Sequence, residues 1–134
     1  MHIWIRRLLL LTVAAHALAN ALRAALAVRQ ALILPELPVT LPPLLLAAFG
    51  ALWMLVFAGC AAGIWMQRIA AARVTIYAAV AYQASFWMLQ TAFAQASFWT
   101  QARFDALGSL AALMATTVLA IVWQRLAQAN HSYV

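Results

Sequence analysis

The feature that most constrains this chain is an uncharged stretch from Leu44 to Met66, in which every residue is apolar or glycine. About 20 such residues are enough for a helix to cross the roughly 30 Å of hydrocarbon in a bilayer. Across the whole sequence 69% of residues are hydrophobic and 7% are charged, which leaves too little polar surface for a soluble domain of 134 residues. The sequence therefore predicts an integral membrane protein.

Three other apolar stretches are long enough to form helices that cross the bilayer, and the four predicted spans are 3–28, 44–66, 74–99 and 106–123. Together with short connections they nearly use up the chain, so we predict one membrane domain over 1–134. The connection 30–43 contains all four prolines, which interrupt a helix, and it is predicted to be an external loop. The predicted fold is an all-α, polytopic four-transmembrane-helix bundle.

The first stretch allows a second interpretation. Arg6 and Arg7, a short apolar run and the small residues of Ala17-Leu18-Ala19 resemble a secretory signal peptide with its cleavage site. Apolar residues continue past that site, and we therefore favour a retained first span. Cleavage would leave three spans.

Arginine is the only basic residue type besides histidine, and its distribution predicts the orientation. Five arginines flank the span ends on the side of the N-terminus, namely Arg6, Arg7, Arg68, Arg73 and Arg125. Arg23, Arg29 and Arg103 fall on the other side with both acids, Glu36 and Asp105. Because arginine resists translocation, we predict both termini in the cytoplasm of a bacterial-type inner membrane. Charges at membrane boundaries, rather than clustered on one face, do not indicate a nucleic-acid partner.

Polar side chains form one stripe along the first predicted helix, at spacings of four, four and three residues: Thr12, His16, Asn20 and Arg23. At 100° per residue these positions share one face, and that face must point toward protein rather than lipid. Arg23 lies toward the external end, where an acid can neutralise it. We predict that it pairs with Asp105 or Glu36.

His16 is the only histidine inside a predicted span. A neutral imidazole in a membrane can ligate haem iron or chlorophyll magnesium, so His16 is a candidate cofactor ligand. A bis-histidine haem would need a second ligand from elsewhere. The simpler expectation is a hydrogen bond to an asparagine or glutamine across the bundle.

The third predicted helix is unusually polar. Gln83, Gln90 and Ser97 follow one another at intervals of seven and share a face, whereas Gln95 points in another direction. Unpaired amides are costly in lipid, and a lone four-helix bundle covers only part of each helix surface. We therefore expect other membrane subunits, or further copies of the chain, to contact this protein within the bilayer.

Small residues on two predicted helices would let another helix backbone approach closely. Gly59 and Gly63 form a GxxxG pair, and Gly108 and Ala112 begin a ridge of small residues one helical turn apart. Cys60 is the only cysteine, so an intramolecular disulfide is excluded.

These features favour a small non-catalytic membrane protein, an accessory or structural subunit of a larger complex, which could be an energy-transducing or pigment- or haem-containing one. The alternative is a small oligomeric transporter or channel that uses the polar stripes of the first and third helices. Neither acid is predicted deep in the membrane, which counts against ion-coupled transport. Three histidines scattered over the first helix and both flanks make neither a catalytic set nor a metal site, so no enzyme activity is expected.

Overall fold

The computed structural model describes residues 2–33, 42–93 and 99–131, and the side chains of 3–33, 42–92 and 107–129. The described residues form four helices, α1 His2–Ile33, α2 Pro43–Trp65, α3 Ile69–Phe93 and α4 Trp99–His131. The predicted all-α, four-helix architecture is confirmed. The external loop predicted over 30–43 lies mostly outside the described residues.

Within the described part of the chain, three segments are long and apolar enough to cross a bilayer: Ile3–Ile33, Pro43–Trp65 and Leu107–Ala129. The remaining helix, α3, has 25 residues, and its glutamines and hydroxyl side chains lower its hydropathy. At 1.5 Å per residue it is about 37 Å long, which is enough to cross about 30 Å of hydrocarbon. The chain is a multi-pass integral membrane protein.

The helices do not coincide with the predicted membrane spans, and several of them extend beyond those spans. α1 continues from position 28 to Ile33, and α4 extends from Trp99 to His131 instead of 106–123. α3 begins at Ile69 rather than at 74. Hydropathy locates the edge of the bilayer, but a helix does not have to end there. Asp105 consequently lies inside α4.

The helices form a closed ring, because each packs against the next in the chain and α4 packs against α1. The short turn at 66–68 joins α2 to α3, with Gln67 in the left-handed region at φ 59°. Its backbone is held by a hydrogen bond from the Arg68 N–H to the Gly63 carbonyl oxygen, 3.0 Å long. The start of α1, this turn and the end of α4 all lie at one end of the bundle, which we call the arginine-rich end.

Two glycines allow neighbouring helices to approach closely. A Cβ atom on Gly50 of α2 would lie 2.8 Å from the Asn20 carbonyl oxygen and 3.0 Å from the Ala24 nitrogen of α1. A Cβ atom on Gly63 would lie 2.8 Å from the Cβ of Ala71 in α3. Because backbone atoms cannot easily move away, Gly50 fixes how α1 and α2 cross.

A polar cluster in the centre of the bundle

His16 joins α1 to α4. Its Nε2 atom lies 3.0 Å from the Thr116 hydroxyl oxygen, and that hydroxyl donates its proton to the Ala112 carbonyl oxygen at 2.8 Å. Since a threonine has one hydroxyl proton, Nε2 of His16 is the donor in this pair and carries the ring proton. The partner is thus a threonine rather than the asparagine or glutamine that the sequence suggested.

The contacts of His16 define one level across three helices. Its ring centroid lies 5.3 Å from that of Phe57 in α2, and its Nε2 atom contacts Thr116 of α4. Tyr82 of α3 stands at nearly the same height, since its ring centroid is 5.6 Å from that of Phe57. We call this the His16 level.

Distances along the helices place the His16 level in the bilayer. At 1.5 Å per residue, five arginines lie about 13–17 Å from this level, all toward one end. They are Arg6 and Arg7 on α1, Arg68 after α2, Arg73 on α3 and Arg125 on α4. The exposed Trp65 lies at a similar depth, and Trp4 lies slightly beyond, stacked with the Arg7 guanidinium group.

The opposite end gives the second boundary. Arg29 lies about 20 Å from the His16 level and Arg23 about 10 Å, both toward that end. A hydrocarbon layer about 30 Å thick that begins at the five arginines therefore ends between Arg23 and Arg29. Its middle lies near His16, and Arg23 is close enough to the surface for its long side chain to reach the headgroups.

Asn20 lies one helical turn beyond His16 and is 1% exposed. Its Nδ2 atom donates to the His16 carbonyl oxygen at 2.9 Å, and its Oδ1 atom has no partner among the described residues. Thr12, on the other side of His16, is half-buried and donates its hydroxyl proton to the Leu9 carbonyl oxygen at 2.9 Å. Both side chains thus bond to the backbone of α1 itself.

Arg23 donates a hydrogen bond from its guanidinium group to the Tyr82 hydroxyl of α3. The side chain is otherwise exposed on the surface of the bundle. Glu36 and the side chain of Asp105 lie outside the described residues, so the pairing of Arg23 with either acid stays a prediction. Tyr82, which the sequence did not single out, is the partner that the structure provides.

Aromatic rings fill the interior beside these polar groups: Phe49, Trp53 and Phe57 of α2 with Tyr82 and Phe86 of α3. The centroids of the rings that contact each other lie 5.2–6.3 Å apart, within the usual range of favourable ring contacts. Tyr82 contacts all four of the others and is 2% exposed. The five rings bring α2 and α3 together around the point that Arg23 reaches from α1.

The glutamines of α3 are placed differently from one another. Both side-chain polar atoms of Gln83 are buried without a partner among the described residues, whereas Gln90 is half-buried. Ser97 and Gln95 lie outside the described residues. The expected contact between this polar face and another subunit stays a prediction.

The surroundings of His16 do not fit a haem or chlorophyll ligand. The Nε2 atom already donates to Thr116, and the Phe57 ring lies close beside the imidazole, so a macrocycle could not approach this atom without displacing both. Among the described residues no group of three or more histidine, cysteine or acidic side chains is placed to hold a metal ion. The arrangement joins α1 to α4 through the His16–Thr116 hydrogen bond.

Comparison with other proteins gives no family for this chain. No protein-family model matches it, and no curated protein or solved structure is detectably similar. Its function is therefore inferred from its own residues and their geometry.

Proposed function

We propose that this protein is a non-catalytic accessory or structural subunit of a larger membrane assembly, in a bacterial-type inner membrane with both termini in the cytoplasm. The excess of arginines at the arginine-rich end supports this orientation. The polar contacts support a structural role, because the half-buried His16 and the exposed Arg23 each form a hydrogen bond to another helix of the same chain.

The observation that carries the proposal is a difference among the four glycines. Gly50 and Gly63 are packed against neighbouring helices of the same chain, whereas a Cβ atom on Gly59 or Gly108 would meet nothing within 4 Å. Glycine in a helix costs about 1 kcal/mol relative to alanine, so a glycine facing lipid has no benefit within the bundle. A helix from another chain that packs closely at these sites would supply one.

The two open glycines lie on different sides of the bundle. Gly59 belongs to α2 and Gly108 to α4, which are not neighbours in the ring of helices. Ala112, one turn after Gly108, is also exposed and extends the smooth strip on α4. Two such strips suit a subunit that lies between two other transmembrane elements.

Extraction with a mild detergent followed by native mass measurement tests the proposal. The wild-type chain is expected in an assembly with other proteins, and Gly59→Leu or Gly108→Leu is expected to release the chain from that assembly. Ala48→Leu is the matched control, since Ala48 is an exposed small residue of α2 outside the glycine pair. A wild-type chain that is extracted as a monomer, or variants that keep the full assembly, would contradict the proposal.

A channel or transporter is the weaker alternative because the interior of the bundle is not polar throughout. Between the His16 level and the arginine-rich end the buried side chains are mainly hydrocarbon or aromatic, among them Leu9, Val13, Ile64 and Trp123. A homo-oligomer with no other protein in the native mass measurement would favour this alternative. An absorption spectrum of the same sample tests whether the assembly contains haem or chlorophyll.

A further inference from the structure

Two buried polar side chains near the centre of the bundle each have an atom without a partner. Asn20 of α1 is 1% exposed and Trp53 of α2 is 8% exposed. Asn20 Oδ1 is a hydrogen-bond acceptor and Trp53 Nε1 carries a donor proton, and neither has a partner among the described residues. Buried groups of this kind in native proteins are nearly always satisfied, frequently by an ordered water molecule.

The two side chains lie at nearly the same depth on neighbouring helices. Gly50 is pressed against the backbone of Asn20, since its Cβ atom would lie 2.8 Å from the Asn20 carbonyl oxygen. Trp53 is three residues further along α2, about 4.5 Å along the helix axis. Both side chains are buried where α1 and α2 pack closely, so the acceptor and the donor lie at similar depths in the interior of the bundle.

Tyr82 supplies a second donor beside this pair. Its ring is edge-on to Trp53, with centroids 5.2 Å apart, and its hydroxyl oxygen accepts the hydrogen bond from Arg23. Because Arg23 can only donate, the hydroxyl proton of Tyr82 is not used in that bond. Among the described residues no acceptor is seen for it.

We propose that a buried water molecule joins Asn20, Trp53 and Tyr82. The water accepts hydrogen bonds from the Trp53 indole and the Tyr82 hydroxyl and donates one to Asn20 Oδ1. These three bonds match the number that a buried water molecule typically makes, about three. The three atoms themselves are neutral and the Phe49 and Phe57 rings pack against Trp53, which suits a small neutral ligand such as water.

The water completes a chain of hydrogen bonds that would otherwise have a gap between Tyr82 and Asn20. Arg23 bonds to Tyr82, the water links Tyr82 to Asn20, and Asn20 bonds to the His16 carbonyl oxygen. The connection joins α1, α2 and α3 in the half of the bundle beyond the His16 level. This role is independent of whether another subunit binds at Gly59 or Gly108.

Nuclear magnetic resonance of the labelled chain in lipid nanodiscs tests the proposal directly. The wild-type protein is expected to show a cross-peak between the Trp53 indole proton and a long-lived water molecule. Asn20→Leu is expected to abolish this cross-peak, whereas Thr12→Val, two turns earlier on the same helix, is expected to keep it. A wild-type protein with no water cross-peak at Trp53 would overturn the proposal.

Thermal unfolding of variants gives a second, independent test. If one water molecule serves both groups, Asn20→Leu and Trp53→Phe each lower the melting temperature. The melting temperature of the double variant is then lowered by about as much as that of the more affected single variant, because the water is lost only once. If the two atoms are dry and unpaired, the two substitutions act independently through the contacts that each removes, and their changes in melting temperature add. That result would refute the shared water.

Discussion

The two halves of the bundle, on either side of the His16 level, are built differently. Toward the arginine-rich end, the buried side chains of the described residues are mainly hydrocarbon or aromatic, and Thr75 bonds to its own helix through the Ala71 carbonyl oxygen at 2.8 Å. From the His16 level to the opposite end the interior contains Tyr82, Asn20 and the buried amide of Gln83. One half is held mainly by the fit of apolar surfaces, and the other by polar contacts among aromatic rings.

In this small membrane protein, apolar contacts contribute stability, and the more specific contacts define how the helices are arranged. Lipid tails are as apolar as a leucine side chain, so burial of Leu9 or Ile64 gains van der Waals contact but little from the hydrophobic effect. Such contacts can be made in several arrangements. Three other contacts can be made in only one arrangement of the helices: the His16–Thr116 bond, the Arg23–Tyr82 bond and the close contact at Gly50.

The largest effect should come from a cavity in the apolar half. Ile64 is fully buried, and Ile64→Ala is expected to lower the free energy of unfolding by about 2 kcal/mol, the lower end of the range for such cavities, because the transfer term is small in lipid. Unfolding by steric trapping or in mixed micelles measures the change. Leu55→Ala, at a residue 65% exposed to lipid, is the control and should change stability little.

An intermediate effect should come from the contact between α1 and α2 in the polar half. Gly50→Ala is expected to cost about 1–2 kcal/mol, since its Cβ atom would meet backbone atoms that cannot move aside, and the better helix propensity of alanine offsets only part of that cost. Gly59→Ala, where the added atom meets nothing within 4 Å, should leave the isolated chain equally stable or slightly more stable. Equal losses at both glycines would show that the close approach at Gly50 is not what holds these helices together.

The smallest effect should come from the bond at the boundary of the two halves. Thr116→Val is expected to cost about 0.6 kcal/mol, the average for a hydrogen bond between transmembrane helices. Thr117→Val is the control, because the Thr117 hydroxyl donates only to the Leu113 carbonyl oxygen, at 2.8 Å. Nitrogen chemical shifts of His16 should report a proton on Nε2 in the wild-type protein. A proton on Nδ1 instead would contradict the assigned direction of the bond.

Hydropathy was enough to predict four helices, because it follows from the free energy of placing residues in lipid. The ends of the helices were harder to predict from hydropathy, because α1 and α4 continue beyond the apolar stretches. Periodicity predicted that His16 and Asn20 face protein, but it could not name Thr116 or Tyr82 as partners. Those pairs depend on which helices are neighbours and how each is rotated.

Two residues in the centre of the bundle carried no clear signal in the sequence. Gly50 resembles any glycine of an apolar span, and its close contact with α1 emerges only when the two helices are packed. The sequence gives no reason to expect that Trp53 is buried rather than facing lipid, yet it is only 8% exposed. Both lie where α1 and α2 cross, which a single helix cannot reveal.

The orientation of the bundle requires four membrane crossings, one of them by the polar helix α3. Single cysteines at Ile3 and Gln128, introduced after replacing Cys60 with alanine, test this with a membrane-impermeant thiol reagent on vesicles of known orientation. Both positions are exposed and lie at the arginine-rich end of the bundle, near the start of α1 and near the end of α4. Four crossings predict that both react from the same face of the membrane, and reaction from opposite faces would contradict the account.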